Sequence, residues 1–444
     1  MRGPFATPAL LTLALTLGAQ TPPDPDAVLA KARDNMLDRT RRLPNYTCVQ
    51  TVNRKYFKPA KPEFPVPSCN EFGARSNDKN HPLKLEATDR LRLDVKVSNG
   101  TEIGAWAGAG NFGDGNVMKL IQGPFGTGGF GTFLTDIFAG SSVAFHFEGE
   151  ESVDHRKLFR YRFQIARDAS HYMVHSGSEW IATGYSGMVG IDPNSFELRR
   201  LLVQASELEE ETGACASNSS VDYAQTRIGT GDFLLPQRSA LHFLMRDATE
   251  SDVATTYSRC RQFLGEARLV TDPSAVAGEL PPAPVTTVIP ADLVVPLTLA
   301  QPIDTNTAAA GDVVVASVSE PVRDPKSSDV VIPARSIVRG RILRMEHSLG
   351  PPGRFVIAIQ LETVEIHGVT SPIYAIRLRD EEKRAVKSAA SGLVERSRQI
   401  VLPPPGQSAL VSNFSISSKA KHYVLPRGLA MEWLTVRAPD AAQP

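Results

Sequence analysis

The chain has 444 residues, and its 48 Lys plus Arg balance 48 Asp plus Glu, which gives a formal net charge of zero. A neutral chain lacks the positive field that holds a phosphate backbone, so we expect no nucleic-acid partner. The length is sufficient for two or three domains, each with its own core.

Residues 1–19 have the features of a secretory signal peptide. Met1 and Arg2 precede the apolar run PALLTLALTLGA, which ends in the small residues Gly18 and Ala19. About twelve apolar residues are too few for a helix that must cross roughly 30 Å of hydrocarbon. Gln20 stands where a lipoprotein would need a cysteine. We therefore expect a periplasmic or secreted protein with no transmembrane span; the alternative is an N-terminal anchor that stays attached.

The first predicted domain, residues 20–270, begins with a helix and continues with strands. Asp24 and Asp26 lie in the capping region, and apolar residues then repeat at helical spacing until Pro44. After Pro44 the period changes to two, most clearly in DRLRLDVKV over residues 89–97. Similar alternation returns many times before residue 270. It predicts one large antiparallel sheet with an apolar and a polar face.

Four cysteines form an even set in a chain that we expect to be exported, which favours disulfides over a metal site. Three pairings are open. We favour the local one, Cys48 with Cys69 and Cys215 with Cys260, because each pair brackets a polar excursion between predicted strands.

The segment 106–140 is rich in glycine and aromatic residues, and it contains a predicted helix over residues 132–138. A curved sheet with covering helices would enclose an apolar interior, which is either a packed core or a cavity for an apolar ligand. The residues that would line the cavity are Trp106, Phe130, Phe133, Leu134, Ile137 and Phe138.

A proline-rich linker is predicted at residues 271–290, followed by a small β domain at 291–438. Short apolar runs separated by Pro, Gly and Asp predict a small barrel or sandwich there. The charged stretch 379–400 is predicted to be an exposed insertion, and a role in docking is the alternative.

Several segments resemble known families. The N-terminal helix, the run of strands, and the segments WIATGYSGMVGIDPNSFELRRLLVQAS and TGDFLLPQRSALHF resemble the bacterial outer-membrane lipoprotein carrier, or lipoprotein-sorting, fold. That resemblance implies a half-barrel of antiparallel strands with helices on its concave side, and acyl chains as ligands. The phrases LPNYTCVQTV and SRCRQF resemble a group of secreted bacterial proteins without an assigned activity.

The second domain has a resemblance of its own. GDVVVASVSEPV and VVIPARSIVRGRI are similar to a small β-barrel module of bacterial envelope proteins. That module has a glycine where Arg335 stands in this chain.

Three apparent catalytic or metal signals are set aside, each for a different reason. The glycines Gly126, Gly128 and Gly131 spell GxGxxG, but no apolar strand precedes them. His171, His175 and Glu179 are four residues apart, which on a strand is about 13 Å and too far for one ion. Ser186 lacks the complete nucleophile elbow. We therefore nominate no catalytic, cofactor-binding or metal residue.

Two functions follow. The first is a non-enzymatic periplasmic protein that holds a lipid or another apolar ligand in the N-terminal half-barrel, with the second domain docking to an envelope partner. The alternative is a structural or assembly protein of the cell envelope that acts through protein-protein contacts.

Overall fold

The computed structural model describes residues 23–61, 64–75, 82–98, 101–108, 117–127, 129–140, 143–176, 179–205, 208–262, 287–351, 353–378, 400–403 and 407–439. The predicted signal peptide, most of the predicted linker and nearly all of the charged insertion lie outside these residues, and so does Gly128.

The described chain contains three α-helices, α1 (Pro25–Arg42), α2 (Cys69–Arg75) and α3 (Thr132–Ala139). The strands before the predicted linker are β1 (Tyr46–Pro59), β2 (Leu83–Ser98), β3 (Thr101–Trp106), β4 (Phe145–Val153), β5 (Arg156–Ile165), β6 (Met173–Ser176), β7 (Glu179–Ala182), β8 (Tyr185–Ile191), β9 (Leu198–Ala205), β10 (Ala214–Ile228), β11 (Gly231–Met245) and β12 (Glu250–Gln262). The strands after it are β13 (Val294–Leu299), β14 (Ile303–Asp304), β15 (Val313–Val318), β16 (Val322–Arg323), β17 (Val330–Ile332), β18 (Ile337–Ser348), β19 (Arg354–Ile366), β20 (Val369–Pro372), β21 (Ala375–Arg377), β22 (Ser412–Ser417), β23 (Val424–Leu425) and β24 (Ala430–Thr435). The predicted fold class, mostly β with minor α and a large antiparallel sheet, is confirmed.

Helix α1 begins where the sequence places its cap. The Asp24 carboxylate accepts a hydrogen bond from the Asp26 amide at 3.2 Å, and Pro25 occupies the first turn, where its missing N–H costs nothing. Val28, Ala32 and Met36 form the buried stripe, each at most 4% exposed. That stripe lies against the N-terminal sheet and fixes the face that α1 covers.

The N-terminal sheet has ten antiparallel strands in the order β4-β5-β8-β9-β10-β11-β12-β1-β2-β3. Its inner face packs against α1 and α3 and carries side chains such as Val52, Val203 and Val221. The outer face carries the alternate residues of the same strands. Among the described residues β3 and β4 do not pair with each other, so this sheet stays open, as expected for a half-barrel.

The disulfides join Cys48 to Cys260 and Cys69 to Cys215. The local pairing favoured from the sequence is therefore wrong. Its physical basis failed because β1 and β12 are neighbours in the sheet although Cys48 and Cys260 are 212 residues apart. The second bridge ties α2 to the start of β10. Both disulfides thus close long loops and hold elements that are distant in sequence.

The C-terminal strands form an antiparallel ladder in the order β21-β24-β13-β15-β18-β19, and β19 also pairs with β20 and β22. They enclose a core of their own that includes Val295, Ile357 and Trp433. In the described part of these strands no ladder closes the sheet into a barrel. Arg335 has φ 68°, in the left-handed region that favours glycine.

The N-terminal and C-terminal strands meet in one continuous sheet. Residues 346–348 of β18 pair with residues 87–89 of β2, and Leu91 bridges Ala310. At this junction Gly311 has φ +103°, and a Cβ there would lie 2.1 Å from the Arg92 carbonyl oxygen. We propose domain boundaries at 20–270 and 291–438, with this junction as the interface between the two domains.

Candidate functional site

The predicted pocket residues on α3 lie in the principal core of the N-terminal sheet. Phe133 and Leu134 are 5% and 6% exposed, and Ile137 and Phe138 are fully buried. They pack with the buried stripe of α1 and with inner-face side chains of β5, β8 and β9. The space beneath this helix is therefore occupied by the helix's own apolar side chains.

Polar contacts hold the C-terminal half of α3 in that position. The Arg33 guanidinium of α1 donates to the carbonyl oxygens of Phe138 and Gly140 at 2.8 and 2.9 Å. The buried Asp136 carboxylate accepts from the His171 backbone N–H at 3.0 Å and lies 2.6 Å from His171 Nδ1. These contacts fix α3 between α1 and the loop before β6.

The other two predicted pocket residues lie elsewhere. Phe130 packs in a second cluster with Tyr46, at the end of β1, and with Tyr257 of β12. Trp106 packs at the junction of the two sheet halves, where the Arg341 guanidinium lies 5.0 Å from its ring centroid. The six residues thus divide among three packed clusters. Ligand binding by any of them stays a prediction.

A buried ion pair connects β1, β2 and the segment before α3. The Arg54 guanidinium donates to both oxygens of Asp89 at 2.7 and 2.9 Å, and neither side chain is exposed. The Tyr56 hydroxyl donates to the same carboxylate at 2.8 Å, and Arg54 also donates to the carbonyl oxygens of Gln122 and Pro124. Sequence reasoning missed this network. The sequence feature that could have indicated it is Arg54, a charged residue at an inward-facing position of β1 between Val52 and Tyr56.

A groove with a volume of about 500 Å³ lies on the outer face of the N-terminal sheet. Two rows of side chains form it, because the strand register places them directly opposite one another. The first row is Leu202, Ser220, Ala240, Ala254 and Asn53. The second row is Gln204, Asn218, His242, Asp252 and Lys55. We call this surface the outer groove.

The geometry of the outer groove follows from its strands. It crosses β9, β10, β11, β12 and β1, which at about 4.8 Å per strand spacing gives a length of roughly 19 Å. The first row forms the floor of the groove, and its short side chains, such as Ala240 and Ala254, leave space above the sheet. The wall contains His242, whose two ring nitrogens lie 2.9 Å from Asp252 Oδ1 and 3.3 Å from Glu250 Oε2. Burial raises the pKa of Glu250.

The apparent catalytic signals form no catalytic constellation in the described residues. Asp136 orients the His171 imidazole, but no described hydroxyl or thiol bonds that ring, and the side chains of His175 and Glu179 lie outside the description. Gly126 lies in a segment without regular structure, and Ser186 lies within β8.

Among the described residues, no group of three or more His, Cys, Asp and Glu side chains is close enough together to hold a metal ion. None of the described helices is long and apolar enough to cross a membrane.

Comparisons with known proteins give structural likenesses of low score. No family model matches the chain, and no curated protein matches it. Among solved structures, the chain is similar to a LolA superfamily protein from Nitrosomonas europaea, at 9% identity and TM-score 0.24, over 54% of this chain and 93% of that one. It is similar to a protein domain from Vibrio parahaemolyticus described as an outer membrane lipoprotein-sorting domain, at 10% identity and TM-score 0.27, over 55% and 94%. A third likeness is to the MucA/MucB complex of Pseudomonas aeruginosa, at 9% identity and TM-score 0.15, over 52% and 94%.

Proposed function

We propose that this chain is an extracytoplasmic, non-enzymatic protein of the cell envelope that works through contacts at its surface. The observation that carries the proposal is the filled interior, since four apolar side chains of α3 occupy the space where a lipid would bind. Small-molecule sites are concave and usually largely formed in advance, with volumes of several hundred Å³. A cavity of that size lies on the outer face of the N-terminal sheet.

The disulfides support the extracytoplasmic part of the proposal. Both bridges join segments more than a hundred residues apart, and every cysteine of the chain is in one of them. Bridges that close such long loops stabilise a fold by several kcal/mol on the chain-entropy model, and they persist in oxidising compartments. The apolar run within residues 1–19 provides the corresponding export signal.

The outer groove is where we place the partner, an extended segment of an envelope protein. Its floor combines Leu202 with small side chains, and its wall carries amide, imidazole, carboxylate and ammonium groups that can hydrogen-bond a peptide. An apolar centre with a polar rim is the usual composition of a protein interface. A length of roughly 19 Å accommodates about six residues of extended chain.

Native mass spectrometry of protein purified from its own host tests the filled interior. We expect the mass of the processed chain with two disulfides and no adduct of lipid size. A retained lipid under gentle ionisation would refute the proposal in favour of a carrier.

Site-specific photo-crosslinking in the host tests the outer groove. A crosslinker at Ser220 should give a discrete adduct with a partner protein, and Ala240→Trp should abolish it by filling the floor. Ala430→Trp is the matched control, because Ala430 is an exposed residue of β24, which pairs with β13 and β21 and with none of the groove strands. An adduct that survives Ala240→Trp would contradict the assignment of the groove, and one of twice the chain mass would replace the partner by a second copy.

A further inference from the structure

The turn at residues 129–131 inserts the Phe130 side chain into a pocket formed by tyrosines. The Phe130 ring lies 5.8 Å from the Tyr46 ring centroid and 4.8 Å from that of Tyr257, in edge-to-face contact with both. The Tyr223 hydroxyl donates to the Gly129 carbonyl oxygen at 2.8 Å. Phe130 is 3% exposed although it belongs to no helix or strand. The Phe130 ring is thus packed between two tyrosine rings.

Two polar atoms on β1 near this site have no hydrogen-bond partner. They are the hydroxyl of Tyr46, which is fully buried, and Oε1 of Gln50, which is 2% exposed. The Gln50 side chain hydrogen-bonds Tyr257, which leaves only its acceptor oxygen unused. An unsatisfied buried polar atom costs about 1–3 kcal/mol, so two on one strand need an explanation.

The electrostatic surroundings favour a neutral ligand. Burial raises the pKa of Tyr46, and the Glu102 carboxylate raises it further, so the hydroxyl keeps its proton and stays a donor. Burial also raises the pKa of Tyr257, and the Glu102 carboxylate raises it further. An anionic group placed here would be repelled by Glu102, whereas a neutral group meets one donor and one acceptor.

We propose that the space filled by the Phe130 ring is a binding site for a neutral hydroxyaryl group. The aryl ring would take the edge-to-face contacts of Phe130, and its hydroxyl would hydrogen-bond the Tyr46 hydroxyl and Gln50 Oε1. A phenol suits these atoms because it both donates and accepts. Phe130 fills the site when no ligand is bound. The inference goes beyond the proposed surface function and does not depend on it.

The test uses cavities and two matched probes. Phe130→Ala should open a cavity that takes p-cresol and toluene, which have the same ring and methyl group and differ by one hydroxyl. We expect p-cresol to bind Phe130→Ala at least about fivefold more tightly than toluene, the equivalent of one hydrogen bond, by isothermal titration. Phe138→Ala is the control, because it opens a cavity in the principal core, where toluene should be preferred. Equal preferences in the two cavities would overturn the proposal.

Two variants link the preference to the unpartnered hydroxyl. Tyr46→Phe alone should fold with no loss in thermal midpoint, because it removes an unsatisfied group, and in the Phe130→Ala background it should weaken p-cresol while leaving toluene unchanged. A lowered midpoint for Tyr46→Phe would show that the hydroxyl already has a partner and would refute the inference.

The wild-type protein should also bind p-cresol more tightly than toluene, but both dissociation constants should be higher because the Phe130 ring must first leave the site. No binding of p-cresol to the wild type would limit the site to an engineered cavity and overturn the proposal. If Phe130→Ala does not fold, Phe130→Tyr replaces it and should match the wild type in thermal midpoint, whereas Phe138→Tyr should lower it. These results are independent of the lipid mass that tests the surface function.

Discussion

Removing one partner of the buried Arg54–Asp89 pair should be among the most destabilising single changes in the N-terminal sheet. Asp89→Leu leaves the Arg54 guanidinium buried without its bidentate partner and removes the acceptor of the Tyr56 hydroxyl. Breaking a fully buried pair costs about 3–5 kcal/mol. Glu346 lies close enough to Arg54 to offset part of that cost. We therefore expect Asp89→Leu to lower the free energy of unfolding by about 3 kcal/mol.

The double variant Arg54→Leu/Asp89→Leu separates the ion pair from its surroundings. It removes both charges, so its loss should be smaller than the sum of the Asp89→Leu and Arg54→Leu losses, although the carbonyl oxygens of Gln122 and Pro124 lose their donor at a cost of about 1–3 kcal/mol each. A double-mutant cycle should thus give strong favourable coupling. The measurement is urea unfolding with the disulfides intact, followed by circular dichroism and tryptophan fluorescence.

A second ion pair on the same two strands supplies the control. Lys58 and Glu86 also bridge β1 and β2, but their side chains are 47% and 50% exposed. An exposed pair contributes roughly 0–1 kcal/mol, so Glu86→Ala should leave the unfolding curve nearly unchanged. The reasoning would be refuted if Asp89→Leu cost no more than Glu86→Ala, or if the double variant lost the full sum of the two single losses.

Three further changes, with Gly368→Ala as a control for the first, test the backbone and the pH response. Gly311→Ala should lower the free energy of unfolding by more than about 3 kcal/mol, because its Cβ would collide with backbone atoms of Arg92. Gly368→Ala should lower it by about 1 kcal/mol, because Gly368 has φ +80° but open space around it. Urea unfolding midpoints measure both changes. Arg335→Gly should raise the thermal midpoint slightly, because glycine adopts φ 68° without strain. Burial lowers the pKa of His347 below its usual 6.5. The unfolded chain therefore binds that proton more readily than the folded chain, and stability falls as the pH drops below about 6.5. His347→Phe should reduce the pH dependence of the urea unfolding midpoint between pH 7 and 5.

Local patterns in the sequence predicted the elements whose signal lies within a few residues. The cap at Asp24 and the apolar stripe of α1 lie where the sequence pattern predicts them. The alternating residues 89–97 belong to β2, and their apolar members point to the inner face of the sheet. The helix predicted over residues 132–138 differs from α3 by one residue. Each of these depends on backbone periods of 3.6 or 2, which a single sequence displays directly.

Features that depend on which strands are neighbours could not be predicted in that way. Cys48 lies opposite the Cys260 region only because β12 returns beside β1, and no local spacing indicates that pairing. The apolar residues of α3 give the same pattern whether they line a cavity or fill it, since periodicity identifies the buried face and not the volume beyond it. The outer groove is a register effect, because Ala240 and Ala254 become neighbours only through the β11–β12 ladder.

Strand β1 contributes to both proposed sites, and its alternation keeps them separate. Tyr46 and Gln50 point inward to the Phe130 site, whereas Asn53 and Lys55 point outward to the groove. Because successive side chains of a strand lie on opposite faces, a substitution on the groove floor leaves the inner contacts in place, and Tyr46→Phe leaves the groove in place. The crosslinking and titration experiments therefore test the two faces of one sheet independently, and either proposal can fail while the other stands.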